Sequence, residues 1–360
     1  MTSKRIIYFC SSRAIGLTGH LTDFAIAFKK DAKALFLSGE TEQFNGLFSK
    51  LDSAQVNRAT ISNLDTSRNL PFHIAALRKI ISNHSPDVIH SQTNYQLLLT
   101  SILKPFFKYK IIHTIHAFKN SKNGTAQLFT KLYINVMCSI FVDKTVFQTQ
   151  FVENNFPKLK NKSFRLPMGF NPPSLHEPRK LTSPTVIIYA AKFHKNKNHL
   201  WLIDALGYTL KCNGWRLVLP GDGDDLGLIR SHVNKSGLCD FVSLPGWLSR
   251  SQIDKLYREA HLAVIPSASE TLGHNIIEPL AYGIPIVSFP VGIAPDINEK
   301  TKAIICIPFY DQKALLEAIN SILSDTRKYD KNSRAAIDYF MENLTWEKHI
   351  ETYKKLLNEL

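Results

Sequence analysis

Short apolar runs alternate along this chain with longer segments in which apolar residues recur at helical spacing. In the second half, β-branched runs occur at 185–190, 215–220, 239–244, 262–266, 284–289 and 303–308. In the first half, comparable runs occur at 5–10, 34–37, 87–91, 110–116 and 144–149. Helical spacing characterises the intervening segments, including 18–30, 71–82, 93–104 and 253–260. This alternation predicts parallel sheets covered by helices on both faces.

The alternating pattern occurs twice, with a proline-rich segment between the two occurrences. Four prolines between residues 171 and 184 oppose regular structure and indicate an extended, exposed linker. A chain of 360 residues is also long for one core. We therefore predict an α/β protein with two doubly wound, Rossmann-like domains facing across a cleft, at 1–170 and 185–335. Helical patterning without further strands predicts that 336–360 form a C-terminal helix that returns to the first domain.

Positive charge is concentrated in the first half of the chain. The net charge is +14; residues 1–180 contain 24 Lys and Arg against 10 Asp and Glu, whereas the second half contains 20 of each. A one-sided basic surface typically faces phosphate in nucleic acid, anionic lipid or a phosphorylated substrate, and a merely solvated face is the alternative. Segment 101–110 mixes aromatic residues and lysines, which favours docking to anionic lipid unless its aromatics are core residues.

The location of the protein is predicted from features that the sequence lacks. Five cysteines are scattered singly, which argues against a disulfide framework or a zinc site. The N-terminus has no signal-peptide core, and no apolar stretch approaches the length of a spanning helix. We expect a cytoplasmic protein, peripheral on the inner face of the cell membrane. No RRM, KH or helix-turn-helix signature accompanies the basic half, so nucleic acid is not an expected partner.

Three polar motifs follow predicted strands of the second half. Gly221 and Gly223 come directly after one strand, and they suit either a tight turn or a close approach to a ligand. Segment 190–200 follows another strand and contains a lysine cluster, which suits a diphosphate or forms a solvated basic loop. Segment 267–285 places Glu270 before a predicted helix at 275–281 and Glu278 within it. These carboxylates are candidate acceptors for sugar or ribose hydroxyls, or else a helix-terminal and a surface charge.

The segment ETLGHNIIE at 270–278 resembles the E-x7-E motif of retaining glycosyltransferase family 4, whose fold is GT-B. The similarity covers nearly the whole chain. Residues 219–287 resemble the nucleotide-sugar half of that family in order and spacing. PDVIHS, IIHTIHAF and RLPMGFN resemble its first half and hinge, and LTWEKHIETYKKLL resembles its returning helix.

The resemblance implies a role for individual residues. Glu270 would contact the donor sugar hydroxyls and Glu278 the ribose, while the amides near Gly273, His274 and Asn275 would contact the sugar and the distal phosphate. The remaining expected donor-site residues are Lys192, Lys197, Gly221, Gly223 and Gly246, the two lysines holding the diphosphate. Ala191-Lys192 replaces the family's usual Gly-Arg pair, so a point charge stands where a bidentate clamp is usual.

In the first half, Gly16 and Gly19 occupy the place of the family's glycine-rich loop, although the usual adjacent glycine pair is absent. His116 matches a family histidine near the reacting sugar; the alternative is a histidine hydrogen-bonded at a strand end. His90 is expected to be structural, and His113 has no match.

These features together predict a retaining glycosyltransferase that moves a sugar from a nucleoside diphosphate, UDP-linked donor to a glycan or lipid-linked glycan acceptor. Such an enzyme would serve surface polysaccharide biosynthesis and need neither metal nor cofactor, because amides and lysines neutralise the leaving diphosphate. Two alternatives remain open at this point: a GT-B-fold UDP-sugar epimerase and a non-enzymatic, basic nucleic-acid-binding protein.

Overall fold

A computed structural model describes residues 4–10, 15–29, 33–40, 45–64, 69–116, 124–173 and 177–360. The chain divides into two compact units. The first contains Met1–Gly169 together with Trp346–Leu360, and the second contains Phe170–Thr345.

The first unit is built on a parallel sheet. Its strands among the described residues are β1 (Ile6–Phe9), β2 (Ala34–Glu40), β3 (Arg58–Ser62), β4 (Val88–Ser91), β5 (Lys110–Ile115), β6 (Lys144–Phe147) and β7 (Ser163–Arg165). They lie in the order β3-β2-β1-β4-β5-β6-β7. The helices between them are α1 (Ile15–Phe28), α2 (Asn45–Ser53), α3 (Leu70–His84), α4 (Asn94–Leu103), α5 (Gly124–Phe141) and α6 (Gln150–Asn154).

The second unit repeats this architecture. Its strands are β8 (Val186–Ile188), β9 (Arg216–Pro220), β10 (Val242–Gly246), β11 (Leu262–Ile265), β12 (Ile286–Ser288) and β13 (Ile304–Cys306), in the order β10-β9-β8-β11-β12-β13. Its helices are α7 (His199–Asn213), α8 (Leu226–Lys235), α9 (Arg250–Glu259), α10 (His274–Ala281), α11 (Ala294–Asn298), α12 (Gln312–Leu323) and α13 (Thr326–Asn343). Since every strand pairing is parallel, both predicted doubly wound sheets are confirmed.

Strand order reverses once in each sheet, and this fixes where ligands are expected. After the first strand of each unit, the chain adds strands toward one edge of the sheet and then crosses to the other side of that first strand. The order therefore reverses between β1 and β4 in the first sheet and between β8 and β11 in the second. Ligands of open parallel sheets bind beyond the carboxyl ends of the strands at such a switch point. The central strands β1, β4 and β11 are buried along their whole length, which explains their unbroken apolar runs.

The last helix, α14 (Trp346–Asn358), belongs to the first unit. Its Tyr353 packs edge-on against Phe24 with ring centroids 5.4 Å apart, and the indole of Trp346 lies where a Cβ on Gly169 would be 2.5 Å away. The predicted returning helix is therefore shorter than 336–360. Residues up to Asn343 continue α13 in the second unit, where Ser333 Oγ donates to Gly283 O at 2.6 Å.

The proline-rich segment lies against the second unit. Arg179 N donates to Ser333 Oγ at 2.6 Å, and Thr182 Oγ1 lies 2.7 Å from His261 Nε2. Residues 177–185 have no regular helix or strand. Residues 177–185 thus run without secondary structure but are held by hydrogen bonds to their neighbours.

The aromatic residues of segment 101–110 do not share one surface. Tyr109 is buried and donates to Thr100 O at 2.6 Å, and Phe107 packs against the core, whereas Phe106 is 74% exposed. Lys104 and Lys110 both pair with Asp143. The expectation that three aromatic rings insert into lipid is wrong for Tyr109, because its ring completes the core beneath α4. None of the helices in the described ranges is long and apolar enough to cross a bilayer.

Candidate active site

Glu270 lies beyond the carboxyl end of β11, beside the switch point of the second sheet. Its Oε1 accepts hydrogen bonds from Lys197 Nζ at 2.5 Å, Ser267 Oγ at 2.7 Å and Asn275 Nδ2 at 2.9 Å. The Glu270 side chain is 12% exposed. Since all three donors bind Oε1, the geometry leaves Oε2 available to a ligand.

Ser267 connects this carboxylate to the neighbouring strand. Its Oγ also lies 2.7 Å from the hydroxyl of Tyr189, which follows β8 and donates to Lys197 O at 3.2 Å. Burial raises the pKa of Tyr189, so the phenol stays neutral. The Ser267 and Tyr189 hydroxyls thus join the carboxyl ends of β8 and β11 and fix the position of Glu270.

The amino terminus of α10 begins directly after this loop. No side chain caps it, and its N-cap residue Gly273 has a φ of +93°, where an added Cβ would lie 2.6 Å from the Ile276 side chain. Uncapped amides at a helix start attract anions. Asn275 Oδ1 is buried and has no hydrogen-bond partner in the described part of the chain. This helix start therefore offers both donors and an acceptor beside Glu270.

The lysine loop and the glycine loop pack against each other. A Cβ on Gly221 would lie 2.0 Å from Ala191 O, and one on Gly223 would lie 2.3 Å from Phe193 O. The two glycines, with φ near +152°, are therefore required by the 191–193 backbone, whereas the sequence left a turn and a ligand contact open. Lys192 is exposed at this junction and forms no ion pair with any described residue.

Gly246 supports the same edge of the sheet. Its carbonyl accepts from Gly221 N at 2.8 Å. Its φ is +79°, but an added Cβ would meet open space. The backbone conformation, rather than a close contact, thus selects glycine there.

Glu278 occupies a separate position on the first turns of α10. Its Oε1 accepts from Arg250 Nη1 at 2.9 Å and its Oε2 from the Tyr257 hydroxyl at 3.0 Å. Burial lowers the pKa of His274, while the negative charges of Glu278 and Glu270 oppose that shift. Both carboxylates thus act electrostatically on one histidine.

His116 lies one residue beyond β5 in the first unit. Its Nε2 is 2.7 Å from Gln92 Oε1 and its Nδ1 is 3.0 Å from Gln148 Nε2. Desolvation, together with nearby His113, lowers the pKa of His116 to about 3 and keeps the ring neutral. Both ring nitrogens are occupied, which favours the alternative of a histidine hydrogen-bonded at a strand end.

A small cavity of about 20 Å³ adjoins this histidine, large enough for about one water molecule. Gln92 lines it, and Gln92 Nε2 is buried with no hydrogen-bond partner in the described ranges. His90, at the same edge, bonds Tyr353 of α14 and Thr114, which accords with its expected structural role. Gln92 Nε2 is therefore an unused hydrogen-bond donor at this edge of the sheet, among the described residues.

Gly16 and Gly19 differ from expectation. The structure places both inside α1, which begins at Ile15, rather than in a loop. Residues 11–14 of the expected glycine-rich loop lie outside the described residues. Helix formation reaches these glycines because the apolar face of α1, including Leu21 and Phe24, is buried in the core.

Sequence reasoning missed Ser267, Tyr189, Arg250, Tyr257, Gln92 and Gln148. Ser267 carried a signal, since it follows a strand in the loop of Glu270. Arg250 carried none, because it occupies the exposed first turn of α9. The described residues contain no cluster of three or more His, Cys, Asp or Glu arranged to hold a metal ion.

Residues 174–339 match the family Glycosyl transferases group 1. This match covers 166 of the 360 residues of the chain. The matched stretch contains Glu270, Glu278, Lys192, Lys197 and the α10 amino terminus.

Curated relatives match parts of this chain. One is 2-deoxystreptamine N-acetyl-D-glucosaminyltransferase of Streptomyces fradiae, 26% identical over 137 residues, which are 37% of this chain and 32% of that protein. The matched stretches span between 21% and 42% of the first three curated relatives.

Solved structures resemble the whole chain in fold. HepE of Anabaena, crystallised in complex with UDP, has a TM-score of 0.80 at 18% identity, covering 99% of this chain and 100% of its own. The lipopolysaccharide outer core galactosyltransferase WaaB, in its apo form, has a TM-score of 0.77 at 14% identity, with 99% and 100% coverage. At these identities the likeness concerns the fold, in which both α/β units have counterparts.

Proposed function

We propose that this protein is a retaining glycosyltransferase that transfers a sugar from a UDP-linked donor to a glycan or lipid-linked glycan acceptor. The observation that carries the proposal is the Glu270 carboxylate, bonded through one oxygen by Lys197, Ser267 and Asn275 beside the uncapped start of α10. A carboxylate oxygen left for sugar hydroxyls beside amides suited to phosphate matches the two halves of a nucleotide sugar. The group 1 domain and the UDP complex of HepE support the same donor class.

The donor would bind along the carboxyl ends of β8 and β11. Glu278 accepts hydrogen bonds from the ribose hydroxyls, and Glu270 accepts them from the sugar hydroxyls. Lys192 faces the diphosphate, and no carboxylate among the described residues forms an ion pair with it. Lys197 contacts Glu270 and adds a second positive charge next to the leaving group. Because helix amides and lysines neutralise the departing diphosphate, the proposed reaction requires no metal ion.

The proposed chemical step proceeds on one face of the sugar. The bond between the anomeric carbon and the phosphate oxygen breaks while the acceptor oxygen forms its bond on the same face. The acceptor proton passes to an oxygen of the departing diphosphate, which acts as the base. Configuration is thereby retained without a protein nucleophile.

The acceptor would be bound by the first unit. Gln92 Nε2, which is buried beside His116 and has no hydrogen-bond partner among the described residues, is suited to an acceptor hydroxyl. The basic composition of residues 1–180 suits a phosphate-bearing carrier lipid at an anionic membrane surface. We propose on this basis a peripheral enzyme of surface polysaccharide biosynthesis.

A ligand panel followed by product analysis tests this function. UDP-, GDP- and ADP-sugars are compared by thermal shift, because a ligand that binds only the folded protein raises its melting temperature. We expect UDP-sugars to give the largest shift, and the anomeric configuration of the product to equal that of the donor by NMR. Turnover of a UDP-sugar to its epimer without an acceptor would favour the epimerase, and an inverted product would contradict retention.

A further inference from the structure

Helix α5 carries an apolar stripe that faces away from the core of its unit. Leu128, Leu132, Val136 and Ile140 recur every four residues and are 67%, 57%, 45% and 64% exposed, and Phe129 beside them is 72% exposed. Residues four apart follow one another along one side of a helix, so the stripe is about 18 Å long. Exposed bulky side chains in a contiguous row mark an interaction surface, whereas single ones do not.

The opposite side of α5 already has its partners. Ile134 and Cys138 are buried in the core, with Tyr133 and Met137 packed against them. The described side chains of α5 include a single charged group, that of Lys131. A helix that is apolar on both sides is expected to be covered on both.

The segments that flank α5 are rich in lysine, and two of these lysines contact the end of the helix. Residues 101–162, which include α5 and the chain before and after it, contain ten lysines and two acidic residues, a net charge of +8. Lys104 Nζ donates to Phe141 O at 2.5 Å, and Lys162 Nζ donates to Ser139 O at 2.7 Å, so lysines from both flanking segments reach the end of α5. Lys108, Lys158 and Lys160 in these segments are exposed.

The two acidic residues of this segment are already paired. Asp143 binds Lys104 and Lys110, and Glu153 binds Arg165. Residues 101–162 therefore carry excess positive charge, and both of their carboxylates are paired. An apolar stripe bordered by lysines has the composition of a helix lying in the headgroup region of an anionic membrane.

We propose that the α5 stripe is a membrane-docking surface that inserts its apolar side chains among anionic lipids. A second copy of the chain fits the surface less well, because a two-fold contact would place two like-charged lysine borders against each other. The position also suits the chemistry: α5 follows His116 by eight residues, so its amino terminus starts from the edge of the sheet that holds His116 and Gln92. The inference deepens the proposed function and rests on it only for the acceptor, a glycan on a lipid carrier.

Vesicle flotation of the full chain tests the proposal. Vesicles of phosphatidylcholine are compared with vesicles in which part of that lipid is replaced by phosphatidylglycerol, at low and at high salt. We expect binding to the anionic vesicles that weakens with salt, and a loss of about tenfold or more in the variant Leu132→Gln/Ile140→Gln. The variant Lys158→Gln/Lys160→Gln should bind more weakly and with less dependence on salt.

A matched control removes equally exposed apolar side chains elsewhere. Tyr208→Gln/Leu228→Gln alters residues of the second unit that are 81% and 57% exposed, and it should float like the wild type. Equal recovery with both kinds of vesicle, no recovery with either, or wild-type flotation of the α5 variant would each overturn the proposal. A dimer in sedimentation analysis that the α5 variant abolishes would reassign the stripe to a second copy.

Nucleotide binding separates this inference from the proposed function. The α5 variant should bind UDP with the wild-type dissociation constant, because α5 is outside the domain that holds the donor. Docking without UDP binding by the wild type would reject the enzyme but keep the surface. UDP-sugar turnover without vesicle binding would support the enzyme but reject the docking surface.

Discussion

Lys197 Nζ lies 2.5 Å from Glu270 Oε1, although the two residues are 73 positions apart in the chain. The contact exists because Lys197 follows β8 and Glu270 follows β11, and these strands are neighbours at the point where strand order reverses. Both side chains are largely buried, with exposures of 17% and 12%. An ion pair shielded from water holds the carboxylate in one orientation, which is a condition for selective binding of sugar hydroxyls.

Glu270→Gln should lower turnover of the UDP-sugar while leaving affinity for UDP nearly unchanged. The amide keeps the shape of the side chain but loses the charge that Lys197 and Ser267 contact and that is proposed to bind a sugar hydroxyl. We expect a loss in kcat/KM equivalent to about 1.5–3 kcal/mol. Steady-state kinetics and calorimetry with UDP measure the two effects. Glu317→Gln, an exposed glutamate on α12, is the matched control; an equal loss of UDP affinity would move Glu270 to the nucleotide.

Glu278→Ala should weaken the binding of UDP itself. Ribose hydroxyls bonded to a carboxylate contribute about 1.5–3 kcal/mol, so the dissociation constant should rise about tenfold or more. Tyr257→Phe removes one donor to Oε2 but keeps the charge, and we expect a smaller effect. Calorimetry with UDP measures the dissociation constant of both variants. If Glu278→Ala lowers the melting temperature and leaves UDP affinity intact, the residue serves only to hold Arg250 and Tyr257.

Lys192→Ala should reduce turnover at saturating donor, because this exposed lysine forms no ion pair with a described residue and is proposed to stabilise the leaving diphosphate. Lys192→Arg should retain activity, since it supplies the same charge with a broader set of donors. Lys195→Ala, in the same loop, is the control for general loss of positive charge. Single-turnover rates provide the measurement. Equal rates for Lys192→Ala and the wild type would remove this lysine from the reaction.

The central strands were predictable because they are buried on both faces and leave continuous apolar runs. The two edge strands of the first sheet were not. In β3 only Ile61 is buried, and the three residues of β7 are all half-buried, so neither forms a run of apolar residues. Sheet edges need fewer apolar side chains, and the sequence pattern weakens accordingly.

The sequence indicates where the candidate residues lie relative to strands and helices, but not how they are arranged around one another. Glu270, Glu278, Lys192 and Lys197 all follow strands or start helices, which the sequence indicates. Their partners depend on which strands are neighbours, and that order is not encoded locally. The Gly221 backbone shows the same limit: its need for glycine arises from Ala191 O, on a different loop.

Gly221→Ala and Gly246→Ala should differ in severity, although both glycines have positive φ. The added methyl at Gly221 would lie 2.0 Å from Ala191 O, so the backbone must shift, and we expect a loss of about 3 kcal/mol or more in unfolding free energy. At Gly246 the methyl meets open space and only the strained φ remains, about 1–2 kcal/mol. Chemical denaturation measures both. Gly227→Ala, which meets neither constraint, is the control, and equal losses at 221 and 246 would contradict the proposed contact.

Acid should destabilise the first unit through histidines that are buried in the neutral form. Burial lowers the pKa of His113 and of His349 to about 4, and both side chains are nearly inaccessible. The unfolded chain binds their protons near pH 6.5 and the folded chain does not, so stability is complete above that pH and declines as the pH falls toward 4. Each histidine should lower the free energy of unfolding by about 2 kcal/mol at pH 5.

Denaturation at pH 7.5, 6 and 5 measures how the free energy of unfolding changes with pH. His349→Gln retains a donor for Pro167 O, which His349 Nδ1 contacts at 2.7 Å, and removes one titrating group. This variant should therefore lose less stability between pH 7.5 and 5 than the wild type, whatever its stability at pH 7.5; an identical slope would show that His349 is protonated without unfolding.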